Sequence, residues 1–127
     1  MNNIMVCVTR QKTCQRLIDC GKALMENEQD QLFVIHVAGE DEKLLGDTQE
    51  GEALEFLYEK AKEAGASLTV ERSSDVLRTL ISIADKNQAN RVVVGESGEG
   101  EAGAGFLHRL EKKLSGRAKL IVVPAVS

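Results

Sequence analysis

Ile4-Met5-Val6-Cys7-Val8 is a run of apolar, largely β-branched residues with Asn3 on one side and Thr9 on the other. It is too short for a helix and nearly continuous, as a strand buried on both faces of a sheet must be. Beyond polar Thr9 to Thr13, Leu17, Ile18, Gly21, Leu24 and Met25 recur at helical spacing between Arg16, Asp19, Lys22 and Glu26. That pattern predicts an amphipathic helix over 14–27. Leu32-Phe33-Val34-Ile35-His36-Val37 is a second buried strand, followed by an acidic, polar connection over 39–51. Leu54, Leu57, Tyr58, Ala61 and Ala64 mark a helix that Gly65 can close in the left-handed conformation. Ser67 to Glu71 is more amphipathic and suits the edge of a sheet. Ser73-Ser74-Asp75 offers N-cap candidates for a helix with Val76, Leu77, Leu80, Ile81 and Ala84 on one face. Arg91 to Val94 is a fourth strand, and a glycine-rich connection over 95–105 follows it. A helix carrying Phe106, Leu107, Leu110 and Leu114 then ends near Gly116, before a fifth strand at Leu120 to Val123.

A strand followed by a helix, four times over, with a closing strand, predicts a three-layer α/β/α sandwich around a parallel sheet, because right-handed helical crossovers join successive parallel strands. The 127 residues suffice for one domain over 1–127, with no repeat or linker inside it. The charge sum is −4, and the aromatic residues are three Phe and one Tyr, with no Trp. Nucleic-acid binding, which needs a basic footprint and, for single strands, a stacking platform, is not expected. Cys7, Cys14 and Cys20 are odd in number and crowd one end of the chain, so reduced thiols and a cytoplasmic location are expected. Met1-Asn2-Asn3-Ile4 has no secretory pattern. The longest apolar run, Leu120 to Val126, falls far short of the ~20 residues a membrane span requires.

Ligands of such sheets bind at the carboxyl ends of the strands, beside the point where the winding reverses. The connections after the first, second and fourth strands therefore matter most. Gly95-Glu96-Ser97-Gly98-Glu99-Gly100-Glu101-Ala102-Gly103-Ala104-Gly105 holds five of the eleven glycines. Its backbone amides, ahead of a helix, can cradle a phosphate. Glu96, Glu99 and Glu101 oppose that field, and the alternative is a plain acidic connection. Nucleophilic chemistry is not expected. A phosphatase loop needs Cys-x5-Arg, but Thr13 stands six residues beyond Cys7 and Cys20 six beyond Cys14. His36 and His108 have no partners at metal-ligand spacing, and His36 reads as a structural histidine. A receiver-type phosphoacceptor pocket would need clustered carboxylates after the first strand, where Thr9-Arg10 stands, and a Lys after the last, where Val123-Pro124 stands. His108, Arg109, Lys112, Lys113, Arg117 and Lys119 form either a partner patch or a solvated helix face.

Ile4 to Val8, Val34-Ile35-His36-Val37, Val92-Val93-Val94-Gly95-x-x-Gly98 and Ile121-Val122-Val123-Pro124 together resemble the universal stress proteins over the whole chain. Met5-Val6-Cys7-Val8-Thr9 and Arg16-Leu17-Ile18 are similar to the stress-protein module of potassium-sensing histidine kinases, here without kinase segments. The resemblance implies strand order 3-2-1-4-5, two helices on each face, and a homodimer through Leu120, Ile121, Val122 and Val123. In the family's ATP-binding branch an acidic residue follows the first strand, and a Gly-x2-Gly-x9-Gly-Ser/Thr loop holds phosphate. Here Thr9 takes the acidic position, and His108-Arg109 stand where the last glycine and hydroxyl belong. The ATP site carries over to Gly95 and Gly98, with Val37 as a backbone contact and Thr9 at the changed position. Ser97 adds a hydroxyl beside the loop amides. The expectation is a non-catalytic stress-response or regulatory module with a degraded ATP motif, working through a regulatory protein partner. The alternative is an adenine-nucleotide (ATP) binding protein using residues 95–105.

Overall fold

The computed structural model describes residues 2–8, 11–39, 50–95 and 100–124, and of 11–13, 50 and 100–104 the backbone alone. Among the described residues nine elements alternate: β1 (Asn3–Cys7), α1 (Gln11–Ala23), β2 (Gln31–Gly39), α2 (Glu50–Glu63), β3 (Ser67–Ser73), α3 (Val76–Lys86), β4 (Arg91–Gly95), α4 (Gly100–Leu114) and β5 (Lys119–Val123). The strands form one parallel sheet in the order β3-β2-β1-β4-β5, as expected. β1 lies at its centre and is sealed on both faces.

Because side chains alternate along a strand, each strand feeds two cores. Ile4, Val6 and Val8 pack with Cys14, Leu17, Ile18, Leu57 and Ala61 under α1 and α2. Met5 and Cys7 pack with Ile35, Val92, Leu80, Ile83, Leu110 and Leu114 under α3 and α4. α1 comes unusually close to the sheet at Gly21: a Cβ built there would overlap Val6 Cγ2 and stand 3.0 Å from Leu32 Cδ1.

Several boundaries differ from expectation. α1 spans 11–23 rather than 14–27, because after Ala23 the chain tightens: Leu24 N–H donates to Gly21 O and Met25 N–H to Lys22 O, each at 3.1 Å. Leu24 and Met25 keep their packing on the core although they lie outside the helix, so the apolar period outruns it. α4 starts at Gly100, so residues 100–105 are helical rather than the end of a glycine-rich connection. The packing of Phe106, Leu107, Leu110 and Leu114 carries this helix, and extending it backward costs only the propensity of each added residue. β3 continues to Ser73, paired with Gly39 of a β2 that is longer than expected. α2 starts at Glu50, inside the connection expected over 39–51, β4 runs on to Gly95 and β5 begins at Lys119, whereas the expected caps are in place. Gly65 and Gly116 take positive φ (72° and 82°) after α2 and α4, and the Asp75 carboxylate accepts the Arg78 N–H at 3.1 Å to cap α3.

The amino ends of β1, β2 and β4 are tied by a polar cluster. Buried Asp30 accepts the Asn2 N–H at 2.8 Å, the Asn2 Nδ2–H at 3.2 Å and the Glu26 N–H at 2.7 Å. Asn90 Oδ1 accepts the Asn3 N–H at 2.9 Å, and Asn90 Nδ2 donates to Asn2 Oδ1 at 3.1 Å. Asn3 Nδ2 donates to the carbonyls of Asn87 and Gln88.

Candidate functional site

The winding of the sheet reverses between β1 and β4, so the carboxyl ends of these two strands open the crevice in which ligands of such folds lie. The rim there is stepped. Cys7 is level with Ile35 of β2 and Val94 of β4, yet β2 continues to Gly39 and β3 to Ser73. At ~3.3 Å per residue, β2 and β3 rise on the order of 13 Å above the end of β1.

Two of the five expected site residues lie on this rim. Val37 stands on the raised part of β2, buried, and Gly95 is the last residue of β4. Thr9, Ser97 and Gly98 lie outside the described residues. Among the described residues a Cβ built on Gly95 would meet only Leu17, at 3.5 Å, an ordinary contact, and its φ lies outside the left-handed range. The described packing beneath Gly95 therefore would accept alanine.

His36 is buried at the step. Its Nδ1 lies 2.8 Å from the Val8 carbonyl oxygen. A carbonyl only accepts, so Nδ1 carries the proton, and the ring fastens the residue just after β1 to β2. The imidazole thus holds backbone in place, as a structural histidine does. Sequence spacing alone does not reveal this contact, although the level register of Val8 and His36 follows once the two strands are paired.

Burial pushes the Cys7 thiol up to about 12. Burial also raises Cys14, against smaller opposing effects from backbone hydrogen bonds and the Lys60 charge. All three cysteines are free, and only Cys20 is partly exposed. Native protein treated with an aromatic disulfide reagent is expected to lose one thiol quickly, Cys20, and to yield Cys7 and Cys14 only on denaturation. Release of three equivalents at a single fast rate would contradict this arrangement.

Of the cationic group near the end of the chain, Arg117 is engaged: it binds the Asp85 carboxylate at 2.9 and 3.1 Å. His108, Arg109, Lys112, Lys113 and Lys119 are exposed on α4 and β5. Among the described residues no His, Cys, Asp and Glu cluster could hold a metal ion, and no helix is long and apolar enough to cross a membrane.

No curated protein matches the chain in sequence. Solved structures do match in fold. A universal stress protein from Archaeoglobus fulgidus aligns over 96% of this chain and 98% of its own, with TM-score 0.64 and 15% identity. A universal stress protein solved in complex with cAMP aligns over 98% and 97%, with TM-score 0.60 and 17% identity. A family protein from Arabidopsis thaliana with AMP bound aligns over 100% and 94%, with TM-score 0.60 and 13% identity. The Universal stress protein family matches residues 1–123 in sequence. With five parallel strands in the order 3-2-1-4-5 and that match over nearly every residue, the chain belongs to the universal stress protein family.

Proposed function

We propose that the protein is a regulatory member of its family that acts by association rather than by turning over a substrate. The observation that carries this is the chemistry of the described rim. Val8 and Val37 are buried and apolar, the Cys7 thiol is held protonated, and the His36 Nδ1–H is committed to a backbone carbonyl. The His36 ring positions backbone, and the buried thiol stays in its un-ionised, weakly nucleophilic form. The likeness of Met5–Thr9 and Arg16–Ile18 to modules of potassium-sensing kinases points to a cytoplasmic signalling protein as the partner.

A second reading, adenine-nucleotide binding, is favoured by Gly95. The described packing beneath it does not demand glycine, and a glycine at the end of a strand permits close approach of a ligand to backbone. Relatives of the same fold hold cAMP and AMP. Calorimetry with ATP, AMP and cAMP, each with magnesium, separates the two. Silence up to millimolar ligand is the expected result for a purely associative protein. Micromolar binding abolished by Gly98→Val establishes the nucleotide reading instead, and release of inorganic phosphate from ATP by the purified protein overturns the associative one.

The association includes a homodimer through β5. Leu120-Ile121-Val122-Val123 forms a sheet edge, Val122 is 40% exposed, and only Lys119 blunts the strand with charge. Light scattering at micromolar concentration is expected to give twice the chain mass, and Val122→Lys to halve it. A wild-type monomer would end this part of the proposal.

A further inference from the structure

The opposite edge of the sheet is built differently. β3 pairs with β2 on one side, and no described residue pairs with its other side. Two concavities flank it, one on each face. On the α2 side a groove of about 290 Å³ is lined by Tyr58, Ala61, Lys62, Gly65, Ala66 and Leu68. On the α3 side a cleft of about 430 Å³ is lined by Thr69, Glu71, Arg78, Ser82 and Lys86, among others. Leu68 serves the first and its neighbour Thr69 the second, because successive side chains of a strand face opposite ways. Arg78, Ser82 and Lys86 follow one another at four-residue spacing along one face of α3.

We propose that the outer edge of β3 is a docking site for an extended, acidic peptide strand of a partner protein. A strand added there continues the sheet through its backbone and sends alternate side chains into the two concavities. The α2 groove, walled by Tyr58, Ala61 and Leu68, takes an apolar side chain; Tyr58 is 57% exposed. The α3 cleft takes a carboxylate. The charged residues lining the two concavities, Lys62, Arg78 and Lys86 against Glu71, carry two net positive charges in a chain whose total is −4. Among the described residues neither Arg78 nor Lys86 forms an ion pair. The same charges disfavour a second copy, since β3 edges paired with each other would bring Arg78 and Lys86 of two chains together, and exposed Glu71 and Arg72 guard the edge against indiscriminate pairing.

Tyr58 is the sole tyrosine and there is no tryptophan, so the tyrosine emission of the intact protein reports on the groove itself. The probe is a capped octapeptide alternating leucine and glutamate. Saturable change in Tyr58 emission is expected, with amide shifts concentrated in residues 67–73. Exposed Arg78→Glu combined with Lys86→Glu, its fold verified by circular dichroism, is expected to weaken binding by about tenfold or more. Methylating alternate backbone nitrogens of the peptide on its bonding edge is expected to abolish binding without altering the protein. No saturable change up to millimolar peptide overturns the proposal. So does binding that survives N-methylation, equal binding of a leucine–lysine peptide, or peptide-free self-association through residues 67–73.

Discussion

Gly21→Val is expected to lower the stability of the protein by about 3 kcal/mol or more, a large share of what a domain of this size possesses. A single added Cβ at this position already overlaps Val6 Cγ2 and crowds Leu32 Cδ1. Neither neighbour can yield easily: Val6 is fully buried at the centre of the middle strand, Leu32 is 3% exposed, and a β-branched side chain has few rotamers to offer. Valine adds two methyl groups to that overlap. Gly21→Ala sets two known effects against each other. Helix propensity favours alanine by roughly 0.5–1 kcal/mol, while overpacking costs about 1–3 kcal/mol. A net loss is expected, smaller than for valine, and urea unfolding of both variants measures it. An alanine variant more stable than the wild type would show that α1 can lift from the sheet at little cost.

Asp30→Ala is expected to lower the melting temperature by on the order of 10 °C at neutral pH. The carboxylate serves Asn2, Glu26 and Asn27 together, and its removal leaves backbone N–H groups of two segments without their acceptor. It also has a signature in acid. Hydrogen bonds to the charged form, first from the Asn2 backbone and then from that of Glu26, hold its pKa below the ordinary value of 3.8. The folded pKa therefore lies under the unfolded one, so this contribution is fully present above about pH 4 and fades as pH falls through the folded value. Asp30→Asn is expected to flatten that part of the acid limb, measured by thermal melts between pH 2 and 6. An unchanged limb would mean that other carboxylates govern acid unfolding.

The sheet was legible in the sequence because each inner strand is a nearly continuous apolar run, rich in β-branched residues and too short for a helix, and because β3, where Thr69 and Glu71 alternate with Leu68 and Val70, advertises an edge. The ends of the helices were less so. At Met25 the apolar period continues for packing reasons after the helix has stopped, and at Gly100 the helix begins among glycines because distant side chains support it. Of the site, Val37 and Gly95 fall on the rim where strand order requires them. The Asp30, Asn2, Asn3 and Asn90 cluster could not be read in advance: each residue is an ordinary polar one near the start of a strand, and only the register brings four of them together. Gly21 carried a signal of its own, a glycine on the apolar face of an amphipathic helix, which is where close approach to a sheet would demand one.

The pairing of β1 with both β2 and β4 has a consequence for synthesis. Ile4 meets Leu32 early, but its other partner, Arg91, leaves the ribosome 87 residues after it. A nascent chain ending at β3 already holds most of the core beneath α1 and α2, whereas Met5, Cys7, Phe33, Ile35 and Val37 on the reverse of the half-built sheet have nothing to cover them until α3 and α4 emerge. One side of the growing molecule is finished while the other is still an oily plane, and that interval is when chaperones have a surface to hold.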